Sequence, residues 1–259
     1  MIFYIYLLLF PFFINAYELS VCTIFRNDAK YLPEWIEFHQ NHGVEHFYLY
    51  NNDSGDHPEV ILQPYIDSNL VTLIDWSGSH VNQDQWNHIQ VQAYMNCIDK
   101  IRNQDKWCAF LDTDEFLFSP NKKLLPEVLE DYISYPSIMA YWRCYGTSNV
   151  FQIPDNEKII NHLTYRAKDD HWMNGHMKQI VQPKYVKDCI NPHIFIFDEL
   201  PYDMNKSTDI LRINHYWSRD IYFFQHEKIG RYLKWGRDVG FMINLQIEMN
   251  EIYDPILIN

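Results

Sequence analysis

Glycine is scarce in this chain, eight residues in 259, and no Gly/Ser linker, internal repeat or low-complexity tract appears. Without a linker there is nothing to divide the polypeptide, and its length suits one compact domain with a single core. Cysteine is also sparse. Cys22, Cys97, Cys108, Cys144 and Cys189 show no C-x-x-C spacing, which argues against a zinc site built from thiolates. They read as small core residues, and their odd number leaves disulfide pairing open. Basic residues are outnumbered, 21 Lys and Arg against 34 Asp and Glu, for a formal charge of −13. That balance disfavours a general nucleic-acid binder, because phosphate contacts need a positive surface. An anionic ligand would have to be held by cations gathered locally.

The apolar run "IFYIYLLLFPFFI" at residues 2–14 is interrupted by Pro11. It falls short of the ~20 residues of a membrane-spanning helix, so a secretory leader or a short anchor fits better. No Lys or Arg precedes it, and a segment packed on the domain is the alternative. We therefore expect a signal peptide or short membrane anchor at residues 1–16 and a single domain at 17–259. Cys22 does not mark a lipoprotein site, since Val21 is too bulky for that cleavage.

What the chain does have is apolar and aromatic matter, 47% hydrophobic and 17% aromatic, which argues against disorder. "LSVCTIF" (19–25) reads as a strand. "YLPEWIEFHQNHG" (31–43) reads as a short amphipathic helix with Pro33 in its first turn and a glycine stop at Gly43. "HFYLY" (46–50), a helix over "VILQPYI" and a strand at "LVTLID" (70–75) follow. From Gln83 to Arg102, Trp86, Ile89, Ala93, Cys97 and Ile101 recur every three or four residues, a long helix feeding the strand "WCAFLD". Strands joined by helical crossovers predict a mostly parallel sheet, whose ligands bind beyond the carboxyl ends of the strands. Further strands are expected at 137–146, 176–183, 191–197 and 211–217, and a helix at 219–236.

The polar loops of that edge draw attention to "FLDTDEFLF" (110–118), where Asp112, Asp114 and Glu115 stand among apolar residues. A carboxylate beside a core is costly without a cation or hydrogen-bonding partner. On an extended strand residues two apart share a face, so Asp112 and Asp114 would project together, a pair suited to a divalent metal. A turn capped by acidic residues is the plainer alternative.

Five stretches resemble glycosyltransferase family 92 and its relatives among the family 2-like glycosyltransferases. They are "CTIFRNDAKYLPEWIEFHQNHGVEHFYLYNNDSGD" (22–56), "KWCAFLDTDEFLF" (106–118), "YWRCYGTSN" (141–149), "HMKQIVQP" (176–183) and "INHYWSRDIYFFQHEKIGR" (213–231). Asp28 stands where relatives usually carry Glu, and Arg219 where they often carry Lys; neither change removes a charge. The resemblance implies an α/β fold of the GT-A type, a central mostly parallel mixed sheet flanked by helices. It implies a hexosyltransferase using a nucleoside-diphosphate sugar, with galactose as the sugar family analogy favours, an inverting outcome and a glycan acceptor. It further implies a DxD motif at Asp112, Thr113 and Asp114 holding Mn²⁺ or Mg²⁺, with His215 completing the metal shell; oxygen ligands with one imidazole suit Mn²⁺.

The same resemblance sets the other roles. Arg26, Asn27 and Asp28 would face the nucleotide, with Asn52, Ser54 and Asp56 beside them, although an Asx-rich turn fits the second group equally. Asp112 would touch the metal through water or the ribose. Lys178, Lys228 and Arg231 are the candidates for the diphosphate, with a solvated helix face as the alternative for the last two. An inverting transfer needs a carboxylate to take the acceptor's proton, and Asp198, Glu199 and Asp170 are the candidates. Trp142, Trp172 and Trp217 are core residues or sugar platforms.

Two other classes stay open: a glycoside hydrolase with paired carboxylates ~5–9 Å apart, and a catalytically silent glycan-binding protein. Residues 2–14 point to membrane association or the secretory pathway, a Golgi-like lumen, without excluding the cytoplasmic face. The sequon at Asn52 lies in the proposed sugar-nucleotide loop and reads as coincidental; a second stands at Asn205.

Overall fold

The computed structural model describes residues 17–198, 203 and 207–258. The expected leader or anchor at residues 1–16, the sequon at Asn205 and the candidate base Glu199 lie outside the described residues.

The first half alternates strand and helix: β1 (Leu19–Phe25), α1 (Leu32–Asn41), β2 (His46–Asn51), α2 (Pro58–Asp67), β3 (Val71–Asp75), α3 (Gln83–Ile101) and β4 (Trp107–Phe110). β2 and β4 flank β1 and β3 lies outside β2, all parallel. Every residue of β1 is buried, as a strand covered on both faces requires. Its alternate side chains feed two cores: Leu19, Val21 and Phe25 pack with Trp35 and Ile36 of α1, while Cys22 and Ile24 pack with Ala93, Cys97 and Ile98 of α3. Helix α3 starts where the Asn82 side chain accepts from the Gln85 backbone N–H. Gly43, at φ +96°, ends the turn after α1 in a conformation that favours glycine.

The second half contains β5 (Glu115–Phe118), α4 (Leu125–Glu130), β6 (Ser137–Cys144), α5 (Ile159–His162), β7 (Tyr165–Arg166), β8 (Met177–Val181), β9 (Val186–Asn191), β10 (Ile194–Phe197) and β11 (Arg212–His215). It ends with α6 (Ile221–Phe223), α7 (Ile229–Lys234), α8 (Val239–Glu248) and β12 (Ile252–Tyr253). The central sheet has eight strands in the order β3-β2-β1-β4-β8-β6-β11-β5. β6 and β11 are parallel, whereas β8 runs antiparallel to both β4 and β6, and β5 to β11. This mixed sheet flanked by helices is the architecture expected for the GT-A type. All five cysteines are free and buried, as core residues.

Three expectations need correcting. The strand begun at Trp107 stops at Phe110, and residues 111–114 leave β4 inside the sheet to enter β5 at its edge. Asp112 and Asp114 therefore stand on a crossing segment rather than on one strand face. The strand expected at 191–197 is only the second arm of the β9–β10 hairpin, whose first arm went unread because its middle is exposed and charged. The helix expected at 219–236 is α6 and α7 joined through a single π-helical turn, Phe224–Lys228. Helices α4 and α8 were not anticipated; α8 carries apolar residues at most positions, so no polar face marks its period.

Candidate active site

The crossing segment is held from both sides. Asp112 turns inward, its Oδ2 3.0 Å from Lys178 Nζ and its Oδ1 accepting from Gln90 Nε2 of α3 at 2.8 Å. The Asp112 N–H donates to Glu115 Oε2 at 2.9 Å, which closes the turn. Lys178 and Glu115 are fully buried and 3.6 Å apart. Burial lifts the Glu115 carboxyl well above its ordinary value despite Lys178. Burial also opposes the Lys178 charge, but Asp112 and Glu115 outweigh it and hold the ammonium protonated. Trp35 Nε1 donates to the Glu115 carbonyl at 2.8 Å, which anchors the segment to α1.

Asp114 turns the other way. Its Oδ1 lies 3.4 Å from His215 Nε2 and its Oδ2 3.5 Å from Lys228 Nζ. Burial opposes the Asp114 charge, yet His215, Lys228 and Arg219 hold its carboxyl far below the usual range. Burial pushes the His215 imidazole below its ordinary value in spite of Asp114. His215 pairs with Glu115 across β11 and β5, and its ring packs on Trp142 at 4.1 Å. Lys228 closes the π-helical turn and donates to the Trp217 carbonyl; burial lowers its pKa to about 8. Such turns recur where a helix must aim a functional side chain.

Asp28 enters the same site by a route the sequence did not reveal. Its Oδ2 accepts from the Thr113 hydroxyl at 2.8 Å, and its Oδ1 from Arg219 Nη1 at 2.7 Å. Arg26 and Asn27 are exposed beside it. The Asn27 N–H donates to Ser54 Oγ, Asn27 Oδ1 accepts from the Gly55 N–H, and Asp56 Oδ2 accepts from the Ala29 N–H, at 3.0, 2.8 and 2.8 Å. These bonds lace the loops after β1 and β2 together. Asn52 is fully buried and donates to the carbonyls of Trp76 and Gly78. Its amide is committed to that loop, which agrees with a coincidental sequon.

The remaining candidates scatter. Lys178 lies beneath the acidic segment, where it neutralises Asp112 and Glu115. Arg231 is exposed one helical turn beyond Lys228. Asp198 follows β10 at the open end of the β9–β10 hairpin, exposed and paired with Lys187 at 2.7 Å. Asp170 borders a cavity of about 510 Å³ with Tyr141, Arg143, Asp169, His171 and Trp172. Trp142 and Trp217 are buried, while Trp172 is 53% exposed, with the rings of His171, His176 and Phe241 around it. Sequence reasoning missed Gln90 and did not connect Arg219 to Thr113. A polar residue next to the buried stripe of α3 was the available signal for Gln90; nothing local marked the Arg219 contact.

Among the described residues no group of three or more His, Cys, Asp or Glu side chains is arranged to hold a metal ion. Asp114 and His215 nevertheless offer one oxygen and one imidazole nitrogen 3.4 Å apart. Two protein ligands suit Mg²⁺ or Mn²⁺ when phosphate oxygens and water fill the other positions, so these residues fit the ion. No helix among the described residues is long and apolar enough to cross a membrane.

The sequence model of glycosyltransferase family 92 matches residues 16–235. A family 92 protein of Oryza sativa subsp. japonica is 29% identical over 213 residues, covering 78% of this chain and 33% of that protein. A β-1,4-galactosyltransferase of Caenorhabditis elegans is 30% identical over 129 residues, 47% of this chain and 30% of that protein. The S. aureus TarS 1-349 structure overlaps 64% of this chain and 47% of its own, at 13% identity and a TM-score of 0.41. The chain spans about a third of the length of the curated relatives it matches. The match over residues 16–235 covers most of the polypeptide, and the chain belongs to glycosyltransferase family 92.

Proposed function

We propose that this chain is a metal-assisted glycosyltransferase that moves a hexose, galactose by analogy with the named galactosyltransferases, from a nucleoside-diphosphate sugar to a glycan acceptor with inversion. The observation that carries the reading is the convergence of Asp114 and His215 at 3.4 Å beside Lys228. A bound Mn²⁺ or Mg²⁺ would supply positive charge to the leaving diphosphate. Asp114 and His215 would hold it, with Asp112 reaching it through water or meeting the ribose. Lys228 beside Asp114, and Arg231 one turn further on, would neutralise phosphate oxygens in a chain otherwise strongly acidic. Lys178 would act indirectly, by fixing Asp112. Arg26 and the laced loops after β1 and β2 would border the nucleoside.

The acceptor hydroxyl must lose a proton as it attacks the anomeric carbon. Of the candidates, Asp170 has the support of a cavity that also offers the half-exposed Trp172 face and Arg143. Planar rings with a few polar groups are what a sugar ring needs. Asp198 and Glu199 stay in the proposal without that support. Residues 2–14 would serve as the leader or anchor of a membrane-associated or secretory-pathway enzyme.

The test is titration calorimetry of UDP- and GDP-hexoses with Mn²⁺ and again with EDTA, on the wild type and Asp114→Ala. Binding of one sugar nucleotide that requires Mn²⁺ and disappears in the variant is expected. Folded wild-type protein that binds none of them, but retains glycan binding, would overturn the transferase reading in favour of a silent lectin.

A further inference from the structure

We propose that Arg219 is a positioning residue for the acidic segment, acting on Thr113 both directly and through Asp28 to set the angle at which Asp114 is presented beside His215 for the metal ion; the inference rests on the transferase reading above. Thr113 is the middle residue between the two aspartates. Its hydroxyl donates to Asp28 Oδ2 at 2.8 Å and accepts from Arg219 Nη2 at 3.2 Å, while Arg219 Nη1 donates to Asp28 Oδ1 at 2.7 Å. The three side chains form a closed ring of hydrogen bonds, and the ring leaves the Thr113 hydroxyl only one rotor setting. Both Asp28 oxygens are engaged within it, each by one hydrogen bond, so Asp28 is part of the clamp.

Arg219 is built for this task. It is 2% exposed, and its guanidinium lies between the rings of Tyr31 at 3.7 Å and Phe223 at 4.5 Å. A flat fork that stacks on two rings while reaching two partners is a geometry lysine lacks. The residue also holds a left-handed backbone, φ +50°, which side chains other than glycine adopt at a cost and which gathers at functional sites. The turn that carries it grips the acidic segment a second time: the Tyr216 N–H donates to the Asp114 carbonyl at 2.8 Å, and the Arg219 N–H to the Tyr216 carbonyl at 3.0 Å. The ends of β1, β4 and β11 thus meet at one threonine hydroxyl. A buried ion pair is a poor way to add stability compared with apolar packing, whereas a closed ring at the centre of the acidic segment is a direct way to fix its angle.

The test compares Thr113→Val, which keeps the shape and loses the hydroxyl, with Thr113→Ser, which restores it, and adds Arg219→Lys and the Thr113→Val/Arg219→Lys double variant. Calorimetry reads Mn²⁺-dependent UDP affinity, and thermal unfolding reads the fold. The expected result is a UDP affinity at least tenfold weaker in Thr113→Val and Arg219→Lys, near wild type in Thr113→Ser, and no weaker in the double variant than in the worse single one, since both break one ring. Melting of Thr113→Val should stay close to that of the wild type. Wild-type affinity in Thr113→Val, or losses that multiply in the double variant, would overturn the clamp alone. A wild type that ignores UDP in Mn²⁺ would overturn the transferase reading, and the clamp's role with it.

Discussion

Lys178 is a cation whose job is set by what surrounds it. With Asp112 at 3.0 Å and Glu115 at 3.6 Å, both from the acidic segment, its removal leaves the half-buried Asp112 carboxylate and the buried Glu115 carboxyl without their cation. Lys178→Met should destabilise the protein by about 3–5 kcal/mol in urea unfolding, and adding Glu115→Gln should recover part of that loss. His39, stacked on Phe116, offers a pH readout. Its Nδ1 donates to the Trp35 carbonyl and its Nε2 accepts from the Leu117 N–H, which defines a neutral tautomer. Burial lowers its pKa to about 3, against an ordinary 6.5. A depressed folded pKa means that the stability it contributes is full above pH 6.5 and is lost as pH falls toward 3, because only the unfolded chain takes up the proton. In that window this group should remove about 1.4 kcal/mol per pH unit. Urea unfolding at several pH values should show a shallower slope in His39→Gln; equal slopes would refute the assignment.

At the scale of elements, the site depends on how the helix after β11 begins. Asp220 Oδ1 accepts from the Phe223 N–H at 2.8 Å and caps α6, while its Oδ2 accepts from the Ile153 N–H at 2.9 Å and ties down the loop after β6. That helix runs through the π-helical turn to Lys228. Asp220→Ala should cost about 1–2 kcal/mol of stability and loosen Lys228 against Asp114, whereas Asp220→Asn should keep most of the cap. Chemical denaturation of the two variants checks the first effect, and UDP affinity checks the second. Elements with strong periodicity were legible in the sequence: β1 as an unbroken buried run and α3 by its Ile89, Ala93 and Cys97 stripe. Strand β9 and α8 were not, since exposed charges in one and exposed apolar residues in the other blur the alternation on which such reading depends.

For the whole molecule, the proposed ligands should report on the fold through mass action. UDP with Mn²⁺ at about 100 times its dissociation constant should stabilise the native state by about 2.7 kcal/mol. For a chain of this size that is a rise of about 5–10 °C in melting temperature. Scanning calorimetry should show the rise with both ligands, less with either alone, and none in Asp114→Ala. By itself the sequence determined the α/β class, the strand-helix order of the first half and the acidic cluster at residues 112–115. Those follow from local periodicity and from the cost of placing carboxylates in an apolar run. Only the tertiary structure decided what each charge meets. Lys178 lies 66 residues from Asp112, and Arg219 lies 191 residues from Asp28. Such pairs are set by the strand order of the sheet, which brings the ends of β1, β4, β8 and β11 together, and no local pattern in the chain encodes that order.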